Sequence, residues 1–192
     1  MRDRLANSSG FALFGEVLLT GVAVALLALP VLTLPAALAG GIGHLRRYVD
    51  DEAAPVAALW RDTRAAAAGG VAVALAALLA GSAAVFAIGL AGADRTPAGT
   101  VMAVDGRLAL GVVATAVVMA AGAWTRDGGW AGAVRGLRGQ LDTDPAAALH
   151  LFVAVALTAV LTWQFLPLLV PSLGVLAFAA VAVRHRSRGR LP

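Results

Sequence analysis

Long charge-free stretches constrain this chain more than any other feature. Between Ala67 and Ala91, between Leu108 and Trp124, and between Ala146 and Val183 there is no Asp, Glu, Lys or Arg, and Phe11 to Leu34 is interrupted only by Glu16. An amphipathic helix of a soluble domain keeps one polar face, whereas these stretches are apolar on every side and need lipid or a large core around them. The composition agrees, with 60% hydrophobic and 14% charged residues. Soluble domains carry about 25% charged residues. The expected fold class is all-α, a polytopic transmembrane helical bundle forming one domain over residues 1–192. A chain of this length has no room for a separate catalytic module beside it.

A hydrocarbon core of about 30 Å asks for roughly 20 apolar residues per helix. That length picks out spans at about 11–34, 67–91 and 108–124. The stretch from Ala146 to Val183 would measure about 57 Å as one helix, too long for one crossing. Pro167 and Pro171 in FLPLLVPS supply a turn, giving further spans at about 147–165 and 168–183. Five spans are expected, and a four-span arrangement with a re-entrant final segment is the alternative. Pro30 and Pro35 mark a kink or break near the end of the first.

Topology is read from arginine, because all fifteen basic residues are Arg and Lys is absent. Short cytoplasmic loops are enriched in basic residues. With the N-terminus outside and the C-terminus inside, eleven arginines fall inside: Arg46, Arg47, Arg61 and Arg64 in the first loop, Arg126, Arg135 and Arg138 in the third, and Arg184, Arg186, Arg188 and Arg190 in the basic tail 184–192. Arg2, Arg4, Arg95 and Arg107 fall outside. The opening MRDR and the Ala37-Leu38-Ala39 triplet also mimic a secretory signal, but the apolar run is longer than a usual signal core and cleavage would leave four arginines outside. Arg without Lys, together with abundant Ala, Gly and Val, suggests a G+C-rich bacterial genome, so the expected location is a bacterial cytoplasmic membrane.

The cytoplasmic loops, about 43–66 and 125–146, look like more than linkers. Leu38, Ile42, Leu45 and Val49 recur at helical spacing beside Arg46 and Arg47, which reads as a surface-lying amphipathic helix. A second short helix is expected from Pro55, after Asp50, Asp51 and Glu52, presenting Leu59, Trp60 and Thr63 next to Arg61 and Arg64. Trp60 and Tyr48 suit the headgroup level. In the third loop Trp130, Val134, Leu137 and Leu141 line one face and leave Arg135 and Arg138 toward headgroups or a partner. Gly128, Gly132 and Gly136 form a GxxxGxxxG row, a pattern that permits close helix contact. These basic, aromatic-bearing segments are candidate contacts to anionic lipid or to a protein partner; no nucleic-acid partner is expected.

Chemistry-bearing motifs are sparse. There are no cysteines, which excludes disulfides and thiolate chemistry. HExxH, GxSxG, the phosphate-cradling GxxxxGK[ST] and a strand-borne GxGxxG are all missing, so no enzymatic activity, catalytic residue or cofactor is expected. His44, His150 and His185 have no second His or carboxylate at helical ligand spacing, so no metal site is expected. The candidate intramembrane polar site is Glu16, with Thr20 one turn later on the same face and Gln164 near the far end of the fourth span. A carboxylate in an apolar segment is by default a functional hypothesis, but about five residues in it lies roughly 7–8 Å deep, within reach of water or a neighbouring helix. Structural and proton- or solute-handling roles both stay open.

The N-terminal third resembles the YesL family of bacterial membrane proteins, a family classed as a domain of unknown function. The resemblance is carried by LALPVLTLPAALAGGIGHLRRY, with Pro30, Thr33, Pro35, Ala36 and Arg47, then by LWRDTR with Trp60 and Arg64, followed by a hydrophobic span. It implies a small multi-span protein, often encoded near sugar-type ABC importers, with no site residues to transfer. The expectation is an accessory component of carbohydrate uptake that contacts ABC transporter permease subunits. The alternative is a self-contained small-solute transporter or channel acting as a homo-oligomer, with Glu16 or Gln164 on its path.

Overall fold

The computed structural model describes the backbone of residues 2–50, 52–93 and 96–188, and side chains within these except residues 2–10, 93, 166 and 184–188. The side chains of Arg2, Arg4, Asp51, Asp94, Arg95, Arg184, His185, Arg186, Arg188 and Arg190 thus lie outside the described residues. Among the described residues seven α-helices follow in order: α1 (Arg2–Leu27), α2 (Leu34–Val49), α3 (Val56–Ala93), α4 (Pro97–Ala123), α5 (Gly129–Thr143), α6 (Pro145–Gln164) and α7 (Leu169–Arg188), with 3-10 turns at Val31–Thr33 and Leu166–Leu168. No strand occurs among the described residues.

Prolines and caps set most boundaries. Pro30 is extended, and the Thr33 hydroxyl donates to the carbonyls of Leu27 and Pro30, satisfying acceptors that the end of α1 leaves free. Pro35 then sits in the first turn of α2, where its missing N–H costs nothing. Thr96 and Asp144 cap α4 and α6, their side-chain oxygens accepting from the N–H groups of Gly99 and Ala147. The long stretch from Ala146 to Val183 divides at extended Phe165 and the turn at Leu166–Leu168, within FLPLLVPS as expected.

The break at Pro30 is a reversal. Glu16 of α1 meets His44 of α2, and Thr20 and Val24 flank Gly41, so α2 runs back along α1. This corrects the reading of residues 11–34 as one span and of Leu38, Ile42, Leu45 and Val49 as a surface-lying helix. Pro35 through Ile42, together with His44 and Leu45, are buried, and only the C-terminal end of α2 emerges. The helical period is present, but the opposite face is built from Ala36, Ala37, Ala39, Gly40 and Gly43. Those residues are small, not polar, so neighbours pack on all sides: α1, α3, α4 and α7 all contact α2.

α3 is one continuous helix of 38 residues, about 57 Å long, joining the expected short helix after Pro55 to the second span. α4 pairs antiparallel with it and begins at Pro97, well before the expected Leu108. α6 lies against α4 and α7, and α7 crosses α1 at Gly21 and Gly174. A Cβ on Gly21 would stand 2.5 Å from the Val170 carbonyl oxygen, and one on Gly174 would run into the Val17 carbonyl, so only two glycines permit this approach. By contrast, a Cβ on Gly132 meets nothing within 4 Å and one on Gly136 meets only the Gln140 amide. The GxxxGxxxG row is therefore not a helix contact here.

Val56–Gly92, Pro97–Ala123 and Pro145–Gln164 are long and apolar enough to cross a membrane; Phe11–Leu27 and Leu169–Val183 are shorter apolar helices. The three long segments bury only 11–17% of their most apolar windows, and Leu79, Phe86, Val112, Leu157 and Val160 stand exposed. Such surface calls for a lipid solvent. Because α2 returns, the N-terminal part of α1 and the C-terminal part of α7 lie at the same end of the bundle, beside the ends of α2 and α4 and the starts of α3 and α6.

Candidate functional site

Polar side chains gather at this shared end, and the last turns of α2 organise them. His44 is fully buried, and its Nε2 lies 2.6 Å from Oε1 of Glu16, whose side chain is 24% exposed. Nδ1 of His44 is buried without a hydrogen-bond partner among the described residues, as is the hydroxyl of Thr20, one turn beyond Glu16. Arg46 donates to the Gly122 carbonyl at 2.8 Å, placing a cation at the C-terminal, negative end of the α4 dipole.

Asp62 ties three elements together. It accepts from Arg47 of α2 at 2.8 Å and from Arg126, between α4 and α5, at 2.6 and 3.2 Å. The Asp62 and Arg47 side chains are 11% and 27% exposed, whereas Arg126 is 58% exposed. Asp62 faces inward because it lies on the side of α3 that carries Leu59, Thr63 and Ala66, all buried against α2. α5 is pinned by Trp130, whose indole N–H donates to the Ala66 carbonyl at 2.7 Å while its ring fills the space over Gly69 and Gly70.

The sequence-derived candidates divide into three groups. Arg46, Arg47 and Trp130 are hydrogen-bonded within the bundle. Trp60, Arg61 and Arg64 point outward from the first turns of α3, and Arg135 and Arg138 are exposed on α5. Glu16 and Thr20 share the face toward α2, but Gln164 is exposed at the opposite end of the bundle, so it joins no site with them. Trp163 beside it is 90% exposed, as an interfacial anchor would be.

Three partners escaped the sequence reading. His44 and Glu16 are 28 residues apart, so no local ligand spacing pointed to their contact. Asp62 lies between the basic residues that drew attention, and Arg126 was counted only for topology. The Gly69-Gly70 pair was the available signal for a bulky side chain docking on α3. Among the described residues no three of His, Cys, Asp and Glu converge as a metal site.

Two half-open spaces lie on the surface of the bundle. One of about 310 Å³ is lined by apolar residues that include Leu38, Ala74, Val113, Val117 and Leu176. The other, about 540 Å³, lies under α5. Comparison with family models, with curated proteins and with solved structures finds no match to this chain.

Proposed function

We propose that this protein is an accessory or interaction component of a bacterial cytoplasmic membrane, docked through its polar end onto the inner face of an ABC-type carbohydrate importer. The observation that carries the reading is the division among its arginines. Arg46, Arg47 and Arg126 are committed within the bundle, while Arg61, Arg64, Arg135 and Arg138, beside Trp60, stay exposed at the same end. Clustered exposed Arg and Trp are what partner surfaces favour. The packed centre supports the same reading, since α2 fills with Ala, Leu and Ile the axis that a solute path would need. The YesL-like motifs supply the importer class, by resemblance alone.

In this reading α1 and α2 enter and leave as a hairpin, α3, α4, α6 and α7 cross, and both termini are cytoplasmic. That arrangement takes the place of an N-terminus outside, and among the described side chains it puts Arg107 on the outer side. Cross-linking and mass spectrometry of the tagged protein, purified from its native membrane in mild detergent, tests the proposal. Permease subunits cross-linked to residues 56–64 or 129–143 support it. Self-cross-links alone would replace it with the second reading, an oligomeric small-solute transporter.

That second reading draws on the buried, unpartnered Thr20 hydroxyl and His44 Nδ1 beside Glu16, since polar groups inside membrane bundles often mark solute or proton paths. Loss of pH-dependent flux in Glu16→Gln would favour it.

A further inference from the structure

α5 is held down at one end only. Trp130 and Ala133 are buried, but the C-terminal half of the helix turns Gly136 and Gly139 toward α4, α6 and α7. Between this half of the helix and its neighbours opens a pocket of about 540 Å³. Packed interiors leave few voids larger than a water molecule, whereas ligand pockets run from about 300 to 1,000 Å³.

The lining has two characters. Met119 of α4 and Leu151 of α6 form apolar walls, and Gln140 and Thr143 of α5 form a polar roof at the level where α6 begins. A polar headgroup fits against the roof, with an apolar chain running down the walls toward the bilayer centre. Neither a purely polar solute nor a pure hydrocarbon matches both.

The pocket also has a way in from the side. A groove of about 290 Å³ between α6 and α7, walled by Ala146, Ala179 and Ala182, shares Asp144, Ala147 and Val183 with it. The outer side of α6 exposes Leu149, Val153 and Leu157, the surface that calls for lipid. The groove is thus continuous with the bilayer-facing surface.

We propose that the space under α5 is a binding site for one membrane phospholipid, which enters laterally between α6 and α7 and holds its headgroup end against Gln140 and Thr143. The inference rests on membrane insertion and not on importer docking, so either can fail alone.

Native mass spectrometry of the whole protein in mild detergent tests it. Gly139 lines the pocket and a Cβ there meets nothing within 4 Å, so Gly139→Phe adds a bulky side chain at the pocket wall with room for its first carbon. Gly132→Phe, equally unobstructed but outside the pocket, is the control. Wild type and Gly132→Phe are expected to retain one phospholipid, and Gly139→Phe about tenfold less, the readout of a filled site. No retained lipid on wild type, or equal retention by Gly139→Phe, overturns the proposal. A phosphatidylcholine with a diazirine in its acyl chain, applied to wild type, gives a second readout independent of any variant. Label on Met119 or Leu151 supports the site, and label confined to Leu149, Val153 and Leu157 overturns it.

Discussion

Asp62 offers the sharpest test of how the polar end is held together, because its two arginines sit in different surroundings. A hydrogen bond to a charged group contributes about 1.5–3 kcal/mol when water is largely excluded. The Arg47 pair, at 2.8 Å with side chains 27% and 11% exposed, belongs in that range. Arg126 makes two hydrogen bonds to the same carboxylate, yet it is 58% exposed, and an exposed pair contributes about 0.2–1 kcal/mol. Asp62→Ala should therefore cost about 2–4 kcal/mol in total. Double-mutant cycles with Arg47→Ala and Arg126→Ala separate the contributions. The measurement is equilibrium unfolding in mixed micelles of rising SDS fraction, followed by circular dichroism. The Arg47 coupling should exceed the Arg126 coupling by about 1 kcal/mol or more, and only the latter should fade as salt is raised. Equal couplings, or an Asp62→Ala variant as stable as wild type, would refute the argument that burial decides between the pairs.

Gly174→Ala drives a methyl group into the Val17 carbonyl and should cost about 1–3 kcal/mol of overpacking, read as a lower midpoint in the same unfolding series. Trp130→Phe keeps the ring but loses the donor to Ala66, so a loss of about 0.5–1.5 kcal/mol is expected, with faster proteolysis of α5. Glu16→Leu leaves both nitrogens of buried His44 without a partner and should cost about 1–3 kcal/mol more than Glu16→Gln, which retains a hydrogen-bonding group. Cytoplasm-active reporters fused at either terminus should both be active; activity at only one end would contradict the return of α2 through the bundle.

What the sequence made legible was governed by local rules. Charge-free length marked out the long helices, and the prolines of FLPLLVPS marked the turn between α6 and α7, because each depends on residues close in the chain. On α5 helical spacing grouped Trp130, Val134, Leu137 and Leu141, of which Trp130 and Leu137 turn toward the bundle while Val134 and Leu141 stand exposed. The reversal before α2 was not legible in this way, because Leu38, Ile42 and Leu45 beside Arg46 and Arg47 have the same periodicity on a membrane surface as in a bundle centre. The difference lies in the other face, and Ala and Gly there read as neutral filler until neighbours are seen to approach them. Nor does sequence reveal which arginines are neutralised within the fold. Arg47 and Arg64 look alike beside Tyr48 and Thr63, and only the placement of Asp62 sends one inward.

The burial of α2 also has a consequence for synthesis. The helix is covered by α1, which emerges from the ribosome before it, and by α3, α4 and α7, which emerge after it. α7 is made after the other helices that cover α2, so the inner helix of the bundle waits, partly uncovered, until α7 has been translated. Chains shortened before Leu169 would carry Ala177 and Val181 of α7 no longer, and the flank of α2 and the Gly21 crossing on α1 would stand open to lipid or to membrane proteases. Completion of α7 is in this sense the step at which the assembly becomes distinguishable from a defective one.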